Sequence, residues 1–420
     1  MPHITGFLES RSRALYIAPE QLAPASALPL TAAKVFQTAH DGGTRLRILF
    51  LIRSLEFGGA ERQLTNLAAG LVEAGHTVCV ASYYAGGPYL SELSAAGVRA
   101  VSLDKRGRWD LLRFTWRLIR LLRRERPQVL HGFMPSENLI SLLAGRIAIP
   151  ATTIVWGIRA SKVDTRIYGI LPGIVYSLQR WLVRCPDLII SNSHAGLESL
   201  GPTRRLRHAI VIPNGIDTER FRPFGDLRNA GRRMLDASAD ERIVAMIGRL
   251  DPMKGHDIFL RAVALAKTSV GKVRFAIVGS GSPQYRASLL ELAAALSIAD
   301  SIIWHEAVAE IEVIYNTIDV LVIGSLFGEG FPNVAAEAMA CGIQVVATDV
   351  GDTARVVGPH GRLVPANDPR ALAAGIVQAL NDNAGRGELR RDWIVQRFGV
   401  GQMVRSTEAA LLDSTSSAPR

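Results

Sequence analysis

The chain has 420 residues, 48% of them apolar, and a formal net charge of +10. That apolar content excludes a disordered polymer, and the length allows two domains with cores of their own. Three widely separated cysteines, Cys79, Cys185 and Cys341, exclude a disulfide framework, carry no metal-ligand or C-x-x-C spacing, and fit a reducing cytoplasm.

Residues 1–44 mix Pro, Ala, Ser and Gln and end in the turn-like Asp41-Gly42-Gly43, so they are expected to form a poorly ordered extension without an evident signal peptide. From Arg45 onward, strand-like runs alternate with helix-like ones, the pattern of parallel sheets covered on both faces. RILFLI at 47–52 predicts the first strand; Leu64, Leu67, Ala68, Leu71 and Val72 predict a helix closing near Gly75, and TVCVAS at 77–82 predicts the returning strand. Further strands are expected at 98–103, 129–133, 152–156 and 188–191. Between the first two of these, Lys105 to Pro127 sets nine Lys or Arg against Asp110 and Glu125, while Trp109, Leu112, Trp116 and Ile119 recur near helical spacing. A basic amphipathic helix is predicted, either lying on an anionic bilayer or docking its apolar stripe on its own sheet. The apolar runs 140–158 and 167–183 are broken by Arg146 and Pro150 and by Pro172 and Arg180, so neither predicts a membrane span.

A turn-rich, basic stretch at 201–207 precedes a second series of strands, expected at 209–212, 243–247, 274–278, 302–305, 320–323 and 344–348. Two doubly wound halves follow, 45–205 and 206–390, with a closing helical segment at 391–412 and a disordered tail at 413–420.

Chemistry-bearing residues gather at the turns. Glu329 and Glu337 flank the start of a helix predicted from Val334 to Cys341; Gly330 and Pro332 break the chain after Glu329, Pro332 suits the first helical position, and Gly342 suits the end. A helix N-terminus offers unpaired N–H groups to an anion and carboxylates accept from sugar hydroxyls, so phosphate plus sugar is the implied ligand. Either glutamate alone would read as a solvated helix face. Glu56-Phe57-Gly58-Gly59-Ala60-Glu61 forms a Gly-rich strand-to-helix turn that lets backbone approach phosphate, with Gly59 the contact of choice. Arg249 and Lys254, in IGRLDPMKG at 247–255, stand just past a strand end where cations stabilise charge developing on a leaving phosphate. No Asp-x-Asp triplet or His-carboxylate cluster predicts a metal site. Val278-Gly279-Ser280-Gly281 and Ile212-Pro213-Asn214-Gly215-Ile216-Asp217 are tight turns after strands, open to ordinary turn chemistry.

The EGFPNV opening, the AMACG helix end, the VVATDVG strand and loop, the GGAE loop, and Arg249 with Lys254 resemble the retaining glycosyltransferases of family 4, also called glycosyl transferases group 1. The resemblance runs from about Arg45 to Leu380. It implies an α/β fold of GT-B architecture, two Rossmann-like doubly wound domains facing across a cleft, with the last helix crossing back to the first domain. It implies that Glu337 holds ribose hydroxyls, that Glu329 holds hydroxyls of the transferred sugar, and that backbone groups of Gly330, Phe331, Pro332 and Asn333 line sugar and phosphates. Arg249 and Lys254 match the diphosphate-binding pair, Gly59 lies across the cleft, Gly279 belongs to the nucleotide wall, and His131 matches a histidine facing the sugar. Glu329, His131, Arg249 and Lys254 are therefore the catalytic candidates.

The match departs where many members carry a second histidine, since Phe133, Pro135 and Ser136 stand there, and at Trp304-His305-Glu306, where many carry a Gly; the base stays open. The implied activity moves a sugar from a UDP- or GDP-linked donor to a lipid-linked or polysaccharide acceptor in cell-surface polysaccharide assembly. It retains anomeric configuration and uses no metal or other cofactor. The implied location is cytoplasmic, with residues 105–127 as the membrane-surface candidate. A nucleotide-sugar epimerase of the same fold and a catalytically silent donor-binding subunit stay open as alternatives. A nucleic-acid binder, suggested by the charge, lacks RNP-like aromatics, a helix-turn-helix signal and zinc spacing.

Overall fold

The computed structural model describes residues 44–107, 109–161, 169–202, 206, 208–382 and 385–416. The expected extension up to residue 43, the expected boundary at 205 and residues 417–420 of the expected tail lie outside them.

Two parallel sheets carry the fold. The first comprises β1 (Arg47–Ile52), β2 (Thr77–Ser82), β3 (Arg99–Ser102), β4 (Val129–Gly132), β5 (Thr153–Ile158), β6 (Leu188–Ser191) and β7 (Ala209–Val211), in the order β3-β2-β1-β4-β5-β6-β7. The second comprises β8 (Arg242–Ile247), β9 (Val273–Val278), β10 (Ile302–His305), β11 (Val320–Ile323), β12 (Gln344–Thr348) and β13 (Arg362–Val364), in the order β10-β9-β8-β11-β12-β13. Every described strand pair is parallel, and helices cross between strands to cover both faces. The continuous apolar runs follow from this double coverage: β1 buries every residue after Arg47, and β8 every residue after Arg242.

In each sheet the strand order reverses once, between β1 and β4 and between β8 and β11. At such a switch point the connecting helices leave in opposite directions, and the crevice beyond the strands' carboxyl ends is where ligands bind in open α/β sheets. The expected site residues are grouped by this geometry. Gly59 follows β1, His131 lies on β4, Arg249 and Lys254 follow β8, and Glu329 follows β11.

Two strands and the helix after Glu329 differ from the sequence expectations. The strand at 209–212, expected to open the second series, is β7 and pairs with β6 at the edge of the first sheet. Sequence order does not reveal which open strand edge a three-residue strand will join. The short β13 at the far edge of the second sheet was not foreseen, since three residues carry no periodicity. The helix after Glu329 spans Asn333–Ala340, so Pro332 precedes it as the capping residue (φ −76°, ψ 87°) instead of occupying its first turn.

The chain closes with helices Gly387–Phe398 and Val400–Ser416. The last helix packs on helix Gly59–Glu73 of the first half, with Met403, Val404 and Leu411 in the same core as Leu64, Leu67 and Leu71. Leu411 is fully buried, a contribution of about 1.5–3 kcal/mol. The helix runs past Leu412, where the disordered tail was expected, and the Ser414, Thr415 and Ser416 hydroxyls donate back to the Leu411 and Leu412 carbonyls.

Candidate active site

Both switch points open on one cleft. From the second sheet, β11 runs into the loop that carries Glu329, which is 6% exposed. Its Oε1 accepts from Ser325 Oγ at 2.8 Å and pairs with Lys254 Nζ. Burial pushes its pKa up, but the charge and hydrogen bond of Lys254, the Ser325 hydroxyl and the Arg249 charge together hold it below the ordinary carboxylate value. Lys254 is delivered by a single 3₁₀ turn after β8, Pro252–Lys254, which starts where Asp251 Oδ1 accepts from Met253 N at 3.1 Å.

Glu337, on helix Asn333–Ala340, is also buried, and each oxygen has one donor: Tyr315 Oη at 2.8 Å on Oε2 and Arg62 Nη1 at 2.9 Å on Oε1. Arg62 belongs to helix Gly59–Glu73, so this ion pair spans the cleft. Burial disfavours its charge, yet the facing Glu337 carboxylate together with the Tyr89 and Tyr315 hydroxyls outweighs burial and raises the Arg62 pKa. Burial and the same carboxylate raise the Tyr315 hydroxyl far above its usual value.

Other contacts hold the halves together around this pair. Asn214 Nδ2 donates to Asn333 Oδ1 at 2.9 Å. Asp352 accepts from the His194 and Ala195 backbone N–H groups at 2.8 and 2.9 Å, capping a helix of the first half from the second. Gly330 sits so close to the turn after β6 that a Cβ there would lie 2.9 Å from Asn192 Oδ1 and 3.0 Å from Ser193 Oγ, so a larger residue would push these side chains aside. Past the ends of β8 and β9, a Cβ on Gly279 would stand 1.9 Å from the Gly248 carbonyl oxygen, so the two turns meet backbone to backbone.

The remaining sequence candidates fall in three situations. Arg249 stands at the cleft mouth, 65% exposed, paired with Asp251 at 3.0 Å. The Phe331 side chain turns into the core, edge-on to Phe398 at 5.3 Å, leaving only its backbone for the cleft, and Gly59 lies against Asn333, whose Nδ2 would be 2.9 Å from a Cβ. His131 is fully buried beside Phe50 and Phe133, neither ring nitrogen has a partner, and burial together with the Arg159 charge holds its pKa well below the usual range.

The sequence did not single out Arg62, Tyr315, Ser325, Arg159 or Asn192. Arg62 follows the GGAE loop directly and Ser325 precedes Glu329 by four residues, so both were within reach of a motif. Tyr315 carried no local signal. Among the described residues no group of three or more His, Cys, Asp or Glu is arranged to hold a metal ion.

Two doubly wound parallel sheets whose switch points face one cleft define the GT-B class. Solved structures share this fold: an Anabaena protein, HepE, crystallised with UDP and glucose superposes with a TM-score of 0.76 at 21% identity, covering 88% of this chain and 100% of that one. Sucrose-phosphate synthase from Thermosynechococcus elongatus gives 0.73 at 21% identity over 89% of this chain and 100% of its own. The family model described as Glycosyltransferase Family 4 matches residues 57–220, and that described as Glycosyl transferases group 1 matches residues 241–382. The chain belongs to glycosyltransferase family 4. Among curated relatives, the D-inositol 3-phosphate glycosyltransferase of Mycobacterium ulcerans is 37% identical over 209 residues, 48% of this chain and 44% of that protein. The enzyme of the same name from Segniliparus rotundus is 31% identical over 249 residues, 57% of this chain and 55% of its own. The chain thus spans about half the length of the curated relatives it matches.

Proposed function

We propose that this protein transfers a sugar from a UDP- or GDP-linked donor to a lipid-linked or polysaccharide acceptor in cell-surface polysaccharide biosynthesis, with retention of anomeric configuration. The observation that carries this is the pair of buried carboxylates, Glu329 held by Lys254 and Ser325, and Glu337 held by Tyr315 and Arg62, at the carboxyl ends of the second sheet. Glu337 takes the ribose hydroxyls and Glu329 hydroxyls of the sugar, while the Gly330–Asn333 backbone lines sugar and phosphates. Lys254 and Arg249 stabilise charge on the leaving diphosphate. The acceptor hydroxyl attacks on the face the diphosphate leaves, forming the new glycosidic bond as the sugar–phosphate bond breaks, and a phosphate oxygen takes its proton. Relatives named for glycosyl transfer and a fold neighbour crystallised with UDP-glucose support the donor class.

The test is release of nucleoside diphosphate from a panel of UDP- and GDP-sugars, with lipid extract, glycan or D-inositol 3-phosphate as acceptor, and NMR assignment of the product anomer. The expected product keeps the donor's configuration and forms in EDTA. Inversion would overturn the same-face attack, and inhibition by EDTA would overturn the assignment of the leaving charge to Lys254 and Arg249.

The membrane-facing side is assigned to three helices packed side by side, Leu111–Glu125, Pro135–Ala148 and Ile170–Trp181. Phe114, Leu118, Leu121 and Leu122 dock the first on its sheet, while Leu112 and Trp116 stay 90% and 58% exposed. Leu143 and Ile147 on the second helix are exposed as well. On the third helix Ile170, Ile174, Leu178 and Trp181 are exposed and only Gln179 is buried. Arg120, Arg123 and Arg124 lie exposed along this apolar face, Arg120 over the Trp116 ring at 5.4 Å. Aromatic and aliphatic side chains ringed by arginines suit an anionic bilayer, each Arg adding about 1 kcal/mol near the surface. No helix among the described residues is long and apolar enough to cross a membrane. The proposed contact is peripheral, on the cytoplasmic face. Arg120, Arg123 and Arg124 all replaced by Glu should lose binding to phosphatidylglycerol vesicles in flotation while keeping the wild-type melting temperature; unchanged flotation would overturn the docking.

A further inference from the structure

Arg159, just beyond β5, is a cation without a counter-charge among the described residues. Its guanidinium lies 4.0 Å over the Phe133 ring, and Nη1 reaches Asn214 Oδ1 at 3.3 Å. Its Nε is shielded from solvent with no partner, and it makes no ion pair among the described residues. The other cations around the cleft differ: Arg62 faces Glu337, Lys254 faces Glu329 and Arg249 faces Asp251. Burial pulls the Arg159 pKa down to about 9.

More unmet polar atoms gather nearby. Both ring nitrogens of His131, whose titration feels the Arg159 charge, are buried without partners, as is Asn192 Oδ1. These residues stand at the ends of β4, β5 and β6, and the missing Gly330 side chain lets the Glu329 loop come within 3.5 Å of the Arg159 carbonyl and 2.9 Å of Asn192 Oδ1, measured from where its Cβ would be. Asn214, the hydrogen-bond partner of the Arg159 side chain among the described residues, donates in turn to Asn333 of the opposite wall. A charge partly withdrawn from water without an opposite charge is costly, and one amide oxygen and the face of one phenyl ring offset only part of that cost. The groups left over are a guanidinium fork, a ring N–H and an amide oxygen, which together complement a hydroxylated anion.

We propose that Arg159, with His131 and Asn192, seats an anionic group of the acceptor, so that the acceptor is a phosphorylated or otherwise acidic molecule and not a neutral glycan end. This rests on the donor assignment above, in which Arg249 and Lys254 already match the donor's diphosphate from the opposite wall. The guanidinium fork binds a phosphate or carboxylate through two parallel hydrogen bonds, a geometry that lysine cannot reproduce.

The experiment uses the full chain and inorganic phosphate as the probe, read by thermal shift at constant ionic strength, with UDP or GDP at saturation to fill the donor site. Wild type should gain stability from phosphate on top of the nucleotide. Arg159→Gln should bind phosphate at least about tenfold more weakly, a difference of about 1.4 kcal/mol, with nucleotide affinity unchanged; Arg159→Lys should recover part of the loss. Without ligand, Arg159→Gln should melt no lower than wild type, because it removes an unpaired cation, whereas a structural role predicts a lower melting temperature. Loss of nucleotide affinity in Arg159→Gln would assign the residue to the donor diphosphate and overturn the acceptor seat, as would wild type that gains nothing from phosphate. Failure of the donor assignment is a separate result, in which no nucleotide stabilises wild type.

Discussion

Lys254→Ala is expected to lower turnover roughly 10²–10³-fold, the range for removing one group that stabilises charge developing in a transition state. It is also expected to destabilise the fold. Lys254 Nζ is the cation on Glu329, a carboxylate whose side chain is 8% exposed, so its removal strands a buried charge. Breaking such a pair costs about 3–5 kcal/mol when both partners are dry. The Lys254 side chain keeps 24% exposure, so solvent screens part of the interaction and a loss of about 1–3 kcal/mol is expected. Lys254→Met with Glu329→Gln should restore most of that stability and none of the turnover.

The two proteins should also respond to pH with opposite slopes. In wild type the folded-state pKa of Glu329 lies below the unfolded value, so its contribution is complete above the ordinary carboxylate range and is lost as pH falls through the depressed value. Burial is already the largest single influence, and without Lys254 the Ser325 hydroxyl and the Arg249 charge no longer outweigh it, so the folded pKa rises above the unfolded one. The variant should then recover stability relative to wild type as pH falls from 7 toward 5, as measured by urea midpoints across that range. Parallel curves would mean that the pair does not set the ionisation of Glu329, and wild-type turnover in Lys254→Ala would remove Lys254 from the reaction.

Glu337→Gln is expected to abolish nucleotide binding while leaving the fold intact. Wild type at a nucleotide concentration one hundred times the dissociation constant should gain about 2.7 kcal/mol of stability. Glutamine keeps an oxygen for the Tyr315 hydroxyl, so the buried phenol stays satisfied, but it loses the second carboxylate oxygen that ribose hydroxyls would use. Arg62 now holds that oxygen, at 2.9 Å from across the cleft. Ribose must displace it. A hydrogen bond to a charged group contributes roughly 1.5–3 kcal/mol, so Arg62→Met should bind nucleotide about tenfold more tightly than wild type. Titration calorimetry with UDP, GDP and ADP separates the outcomes and identifies the base. Full nucleotide binding by Glu337→Gln would overturn the ribose role, and weaker binding by Arg62→Met would mean that Arg62 contacts the donor instead of competing with it.

Much of the fold was legible because it is written in short-range patterns. Apolar runs bounded by Gly and Pro located β1, β2 and β6 and the strands that carry Glu329 and Arg249 toward the cleft, since backbone pleat and helix pitch act over a few residues. Pro332 misled by one position because its fixed φ suits both the residue before a helix and its first turn. For β7, sequence order suggested the second half and an unpaired edge of the first sheet decided otherwise.

The Glu329 loop, the Glu337 helix, the Arg249–Lys254 turn and the GGAE loop could all be named from the sequence alone, because each is a local arrangement of turn residues and charges. Their mutual pairing could not. Lys254 meets Glu329 across 75 positions and Arg62 meets Glu337 across 275, and no periodicity links residues so far apart. The same holds for Arg159, whose want of a counter-charge among the described residues is visible only once the surrounding carboxylates are seen to face other cations. The sequence by itself determined the secondary elements, the parallel architecture and the local shape of each binding turn. Tertiary structure decided which buried charge faces which, because that depends on the folded cleft excluding water around groups brought together from distant parts of the chain.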